Sequence, residues 1–131
     1  MRPDIDKLIH FWAFEAEEAL KVAGHLIEKE DFSYALFFGH LALEKMLKAL
    51  CVKEQRDHAP PIHNLVRLAK TAGIELDEQA ESDLVTITAF NIESRYPDFK
   101  SSFRKKCTQQ FTTKQMAIIR RYFKWLKSQL K

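Results

Sequence analysis

DFSYALFFGHLALEKMLKALCVKEQ, Asp31 to Gln55, is the stretch that decides the fold of this chain. It continues for about seven turns at roughly 3.6 residues each, with neither Pro nor a Gly pair to interrupt it. Its single Gly, Gly39, marks a point of close approach by another element. Phe32, Leu36, Leu43, Met46, Leu47 and Leu50 fall on one face, and Tyr34, Phe37, Phe38 and Leu41 occupy most of the rest in the early turns. A helix apolar nearly all round is enclosed by other helices. Further along, Glu44, Lys45 and Lys48 make the far side polar, so the pattern places the first half in the core and brings the second half to the surface. His40, Glu44 and Lys48 share one row at i, i+4, i+8 spacing.

The flanking segments supply the enclosing helices. Upstream, Ile5, Leu8, Ile9, Trp12, Ala16, Ala19, Leu20, Ala23, Leu26 and Ile27 form one amphipathic stripe. Arg2-Pro3 stands outside this helix or in its first turn, and Asp4 and Asp6 sit at the positive end of its dipole. The short turn at Glu28 to Asp31 makes the first two helices antiparallel, with Asp31 as cap of the second. Downstream, Pro60-Pro61 forbids helix and holds the chain extended. A short third helix then starts at His63-Asn64 and ends at Gly73. A fourth runs from about Asp77, with Ala80, Leu84, Ile87 and Asn91 on one row, and stops near Arg95 because Pro97 excludes Tyr96 from helical geometry. Tyr96 to Phe111 reads as a long loop. A last helix follows, capped by Thr112 or Thr113 and buried along Met116, Ile119, Tyr122, Phe123, Leu126 and Leu130.

These segments predict an all-α, up-and-down bundle of four long helices plus one short helix. The 131 residues suffice for one domain, 1–131, with a core that needs neither disulfide nor structural metal. The two cysteines, Cys51 and Cys107, form no framework and read as free thiols of a cytoplasmic protein. The acidic MRPDIDKL start is unlike a signal peptide, and no stretch is apolar enough to span a membrane.

Charge is divided along the chain. Residues 1–98 hold 11 Lys/Arg and 18 Asp/Glu, while residues 99–131 hold 10 Lys/Arg and no acid. Arg104, Lys105, Lys106, Arg120, Arg121 and Lys124, interleaved with aromatics, have the composition of a nucleic-acid contact surface. The same charges can instead face the acidic side of the first helix. Trp125, opposite the buried stripe, suits base stacking or a protein interface.

Taken together, His40 to Leu50 (HLALEKMLKAL), His63 to Leu65 (HNL) and Asn91 to Asp98 (NIESRYPD) resemble the HEPN domain, from about Phe11 to Leu126. The resemblance implies a homodimer, and a minimal nucleotidyltransferase partner in a two-component, toxin–antitoxin-like system. Many members are metal-independent ribonucleases whose signature is an Arg followed a few residues later by a His. The matching Arg is Arg95, but no His follows it anywhere in the chain. Cleavage of RNA without metal requires a base for the 2′-hydroxyl and a cation for the phosphorane. Arg95, Tyr96 and Asp98, with His40, Glu44 and Lys48, are therefore expected to bind a nucleotide, RNA or other phosphate without cleaving it. Ribonuclease activity through a displaced His, His63 with Arg95 or Arg56, is the alternative, and a purely structural bundle is the third. Arg56 and His63 have the signature's spacing but lie across the Pro60-Pro61 loop. Asp57, His58 and His63 supply too few ligands for a metal, and no cofactor is expected.

Overall fold

The computed structural model describes residues 3–131, so Arg2 lies outside it. Six helices follow in order: α1 (Ile5–Glu28), α2 (Phe32–Gln55), α3 (Leu65–Thr71), α4 (Glu78–Glu93), α5 (Pro97–Lys106) and α6 (Gln109–Ser128). The all-α bundle expected from periodicity is the fold found. Side chains Asp4, Asn64 and Asp77 cap α1, α3 and α4 by accepting N–H groups of the first turn. Among the described residues no helix is long and apolar enough to cross a membrane.

The chain alternates in direction around α2. α1 runs antiparallel to it, with Glu15 reaching Lys45 at 3.4 Å. α6 runs parallel to it, because Ile119 lies at Gly39 while Lys53 donates to the Gln129 carbonyl at 2.9 Å. α4 is antiparallel to α6: Tyr122 donates to Asp83 at 2.6 Å near one end, and Phe90 meets Phe111 at 6.4 Å near the other. Inside lie Leu36, Leu43, Met46, Leu47, Leu65, Leu68, Leu84, Ile87, Phe90, Phe103, Ile119 and Leu126. Cys51 is buried too, its thiol directed at the Leu68 carbonyl at 3.3 Å, and Cys107 is buried beyond α5.

Four local expectations change. The segment Tyr96 to Phe111 is no long loop but holds α5 and the start of α6. Pro97 takes the first helical position, where its missing N–H costs nothing, and Tyr96 stays extended before it. Asp98 in the first turn of α5 and Arg104, Lys105 and Lys106 in the last complement its dipole. Asp31 makes no side-chain cap to α2; the turn closes instead through its own N–H to the Leu26 carbonyl at 2.8 Å, after a left-handed Glu30. Thr108, not Thr112 or Thr113, caps α6, and Thr112 is buried within it.

The fourth difference concerns α2. Its second half is the more deeply buried, with every residue from Ala42 to Val52 inside the protein except Lys45. The polar row at Glu44 and Lys48 is therefore enclosed and not a solvated face. The first half instead exposes Tyr34. The cover comes from the loop that Pro60-Pro61 directs back over α2, a path that helical periodicity does not encode.

Gly39 sets the separation of α2 and α6. A Cβ there would stand 2.8 Å from Ile119 Cδ1 and 3.2 Å from Met116 Sδ. Gly39→Leu is expected to lower stability by about 1–3 kcal/mol through overpacking, despite a gain in helix propensity of up to about 1 kcal/mol. Adding Ile119→Val, which removes the nearest atom, should recover part of this loss in a urea-unfolding double-mutant cycle.

Candidate functional site

One stripe of α2 gathers most of the polar residues singled out by the sequence. Tyr34, Phe37, His40, Glu44 and Lys48 follow at helical spacing, so their side chains leave α2 on the same side. At its middle the Glu44 carboxylate is buried and accepts on both oxygens. His63 Nδ1 donates to Oε1 at 3.0 Å, and Lys48 Nζ lies 3.2 Å from Oε2. His40 Nε2 stands 3.8 Å from the same Oε1. Lys48 is also buried, with its ammonium 5.2 Å from the centre of the Trp12 ring on α1.

The tautomers follow from the acceptors. His40 Nε2 is 3.1 Å from the His63 main-chain carbonyl, which can only accept, so that nitrogen carries the proton. Nδ1 of His40 is then an unprotonated nitrogen, buried without a partner among the described residues. Burial pushes the His40 imidazole below its ordinary value, against the opposing pull of Glu44; the charges of His63 and Arg95 push in the same direction as burial. His63 has the opposite arrangement. Its Nδ1–H faces Glu44, its side chain is 56% exposed, and Nε2 is left with a free lone pair.

Arg95 follows the C-terminus of α4. Its Nε donates to the Asn91 carbonyl at 3.0 Å, the interaction expected of a cation at a helix end. The guanidinium lies 5.8 Å from the Phe37 ring centre and 5.6 Å from that of Tyr96. Among the described residues no carboxylate reaches it, and it does not pair with Asp98, which stands exposed in the first turn of α5. The α2 row thus faces Arg95 by way of Phe37 and His40.

One neighbour of this stripe, and one contact within it, escaped the sequence reading. Lys100 Nζ lies 5.4 Å from the Tyr34 ring centre. A hydrogen bond and charge from Lys100, with Arg104 adding to them, hold the Tyr34 phenol below its ordinary value. The available signal was the i, i+4, i+8 spacing of Tyr96, Lys100 and Arg104, which is hidden when the segment is read as a loop. The contact between Glu44 and His63 left no signal, since 19 positions and a turn separate them.

The remaining candidates are scattered. Arg56 closes α2 in the left-handed region and makes no hydrogen bond with His63 among the described residues. Asp57 accepts the His58 N–H at 2.7 Å. Arg120 lies against α1 at Gly24, Arg121 is 3.7 Å from Asp83, and Lys127 is 2.6 Å from Glu17. Much of the basic charge on α6 therefore meets acidic or small residues of the same bundle. Lys105, Lys106 and Lys124 are exposed, with Lys106 over the Phe111 ring.

The class is an all-α helical bundle, and the HEPN domain profile matches residues 9–129. The chain belongs to the HEPN family. The crystal structure of TT1696 from Thermus thermophilus superposes with a TM-score of 0.77 at 17% identity, covering 92% of this chain and 96% of that one. At this identity the likeness speaks for the fold alone. No curated protein sequence matches the chain.

Two outcomes follow from the buried row. Glu44→Leu strands the Lys48 ammonium and should cost about 3–5 kcal/mol, most of it recovered when Lys48→Met is added. Because the folded His40 value lies below the ordinary 6.5, the unfolded chain takes up a proton that the folded chain refuses. Stability is thus complete above about pH 6.5 and falls as pH drops below it, until folded His40 itself protonates. Urea midpoints between pH 8 and pH 5 should fall less steeply in His40→Gln, which keeps a donor toward the His63 carbonyl.

Proposed function

We propose that this HEPN chain is a non-catalytic, homodimeric subunit that binds a nucleotide or RNA through phosphate and works with a nucleotidyltransferase partner in a two-component, toxin–antitoxin-like system. One observation carries the binding site: the Arg95 guanidinium is held by the Asn91 carbonyl and two aromatic rings, yet is exposed and free of carboxylate among the described residues. Such a cation is oriented without being neutralised, which suits a phosphate oxygen. Tyr96, half exposed beside it, offers a face for a base, and Asp98 an acceptor for ribose hydroxyl or base. Within the α2 row, Glu44 and Lys48 hold the site together from inside, and His63 presents Nε2 at its edge. His40 is enclosed and kept neutral, so it has no path to a substrate proton. The exposed Phe11 and Phe14 on α1 favour a protein interface. The free guanidinium weighs against a purely structural bundle.

A second reading, metal-independent ribonuclease, is favoured by the bond between Glu44 and His63. A carboxylate that fixes Nδ1–H and leaves Nε2 bare is how a general base is oriented. His63 would then serve as base and Arg95 as phosphate cation.

Purified protein incubated with labelled single-stranded RNA in EDTA separates the two. Retardation without cleavage, weakened about tenfold or more by Arg95→Ala as a charged hydrogen bond of roughly 1.5–3 kcal/mol is lost, is the expected result. Cleavage that falls about 10²–10⁴-fold in His63→Ala would replace the binding reading with the ribonuclease. Neither retardation nor cleavage would remove nucleic acid from the function.

A further inference from the structure

The cations along α2 do not stop at Arg95. Tyr34 lies one turn before Phe37 on the same side of the helix, and where Arg95 covers Phe37, Lys100 covers Tyr34. Arg104, one turn beyond Lys100 in α5, also acts on the Tyr34 hydroxyl. It lines a cavity of about 340 Å³ at the start of α2, together with Ser33 and Tyr34. Neither Lys100 nor Arg104 has a carboxylate within ion-pair distance among the described residues. This differs from α6, where Arg121 and Lys127 are paired within the bundle.

We propose that Arg95, Lys100 and Arg104 form one continuous track for the phosphate backbone of a single-stranded nucleic acid, with Tyr96 and Tyr34 as the surfaces on which its bases stack. The proposal rests on the reading of Arg95 as a phosphate ligand and extends it from one phosphate to several. From Tyr96, just before α5, to Arg104 in its last turn is eight positions, or about 12 Å at roughly 1.5 Å per residue. That length accommodates about four stacked nucleotides at roughly 3.4 Å each. Alternation of cations with half-exposed aromatic rings fits single strands, whose bases are free to stack, better than a duplex or an acidic peptide. Glu30 and Asp31 stand on the wall of the cavity beside Arg104 and set an acidic end to the track.

The test uses the full chain and labelled oligouridylates from one to eight nucleotides, with affinity measured across a salt series. Affinity is expected to rise with length up to about four nucleotides and then level off. Lys100→Ala with Arg104→Ala, both outside the core, should reduce the slope of log K against log salt by about 1.4 for the tetranucleotide, about 0.7 for each phosphate released. The same double variant should leave uridine monophosphate binding unchanged, whereas Arg95→Ala weakens both ligands. An unchanged tetranucleotide slope in the double variant overturns the track while leaving the Arg95 site standing. No effect of Arg95→Ala on either ligand overturns the underlying reading. Equal affinity for polyglutamate, with the same sensitivity to the double variant, overturns the nucleic-acid assignment in favour of an acidic peptide.

Discussion

The Glu44 carboxylate, buried on the helix that all the others enclose, constrains the rest of the molecule. Removing an ionised carboxylate from water costs several kcal/mol unless charges and hydrogen bonds replace its hydration. Here the replacements come from different parts of the chain: Lys48 from the next turn of α2, and His63 from the loop ahead of α3. Trp12 of α1 closes over Lys48. The main chain of His63 is tied as well, through its carbonyl to His40. One buried charge thus fixes where α1 crosses α2 and where the Pro60-Pro61 loop must return. It also orients the exposed nitrogen of His63, which makes the imidazole of a loop residue as well placed as one on a helix.

The polar stripe is laid out in two chemical zones by the same helix. Toward its C-terminal half the groups satisfy one another and are enclosed. Toward its N-terminal half the cations come from α5 and the end of α4, and they rest on aromatic rings instead of carboxylates. A guanidinium or ammonium on a ring face keeps most of its charge available to solvent or ligand, whereas an ion pair does not. The distinction separates residues that hold this HEPN domain together from residues free to meet something else.

Helical periodicity made most of the architecture legible. α1, α4 and α6 each bury a stripe that can be read directly, and Asp4, Asn64, Asp77 and Gly73 act at helix ends as their chemistry dictates. α5 was hidden because Pro97 acts there as a helix starter but reads as a breaker, and because Phe103 is its only buried residue. The burial of Glu44 and Lys48 was hidden for a different reason: polar residues at i, i+4 spacing look the same on a solvated face as under a loop. Arg95 was legible as a candidate, and so was its grouping with the α2 row. Lys100, Tyr34 and the tie between Glu44 and His63 depend on how distant segments meet, which spacing along one helix does not specify.

The two thiols carry a practical consequence. Burial, the largest cause in each, pushes both Cys51 and Cys107 up to about 11. At neutral pH the thiolate fraction of each is therefore about 10⁻⁴, and thiolate is the species that alkylating reagents and oxidants attack. Both thiols are also buried. A cysteine introduced on the surface, exposed and without this upward shift, should therefore react with a labelling reagent well ahead of either natural one.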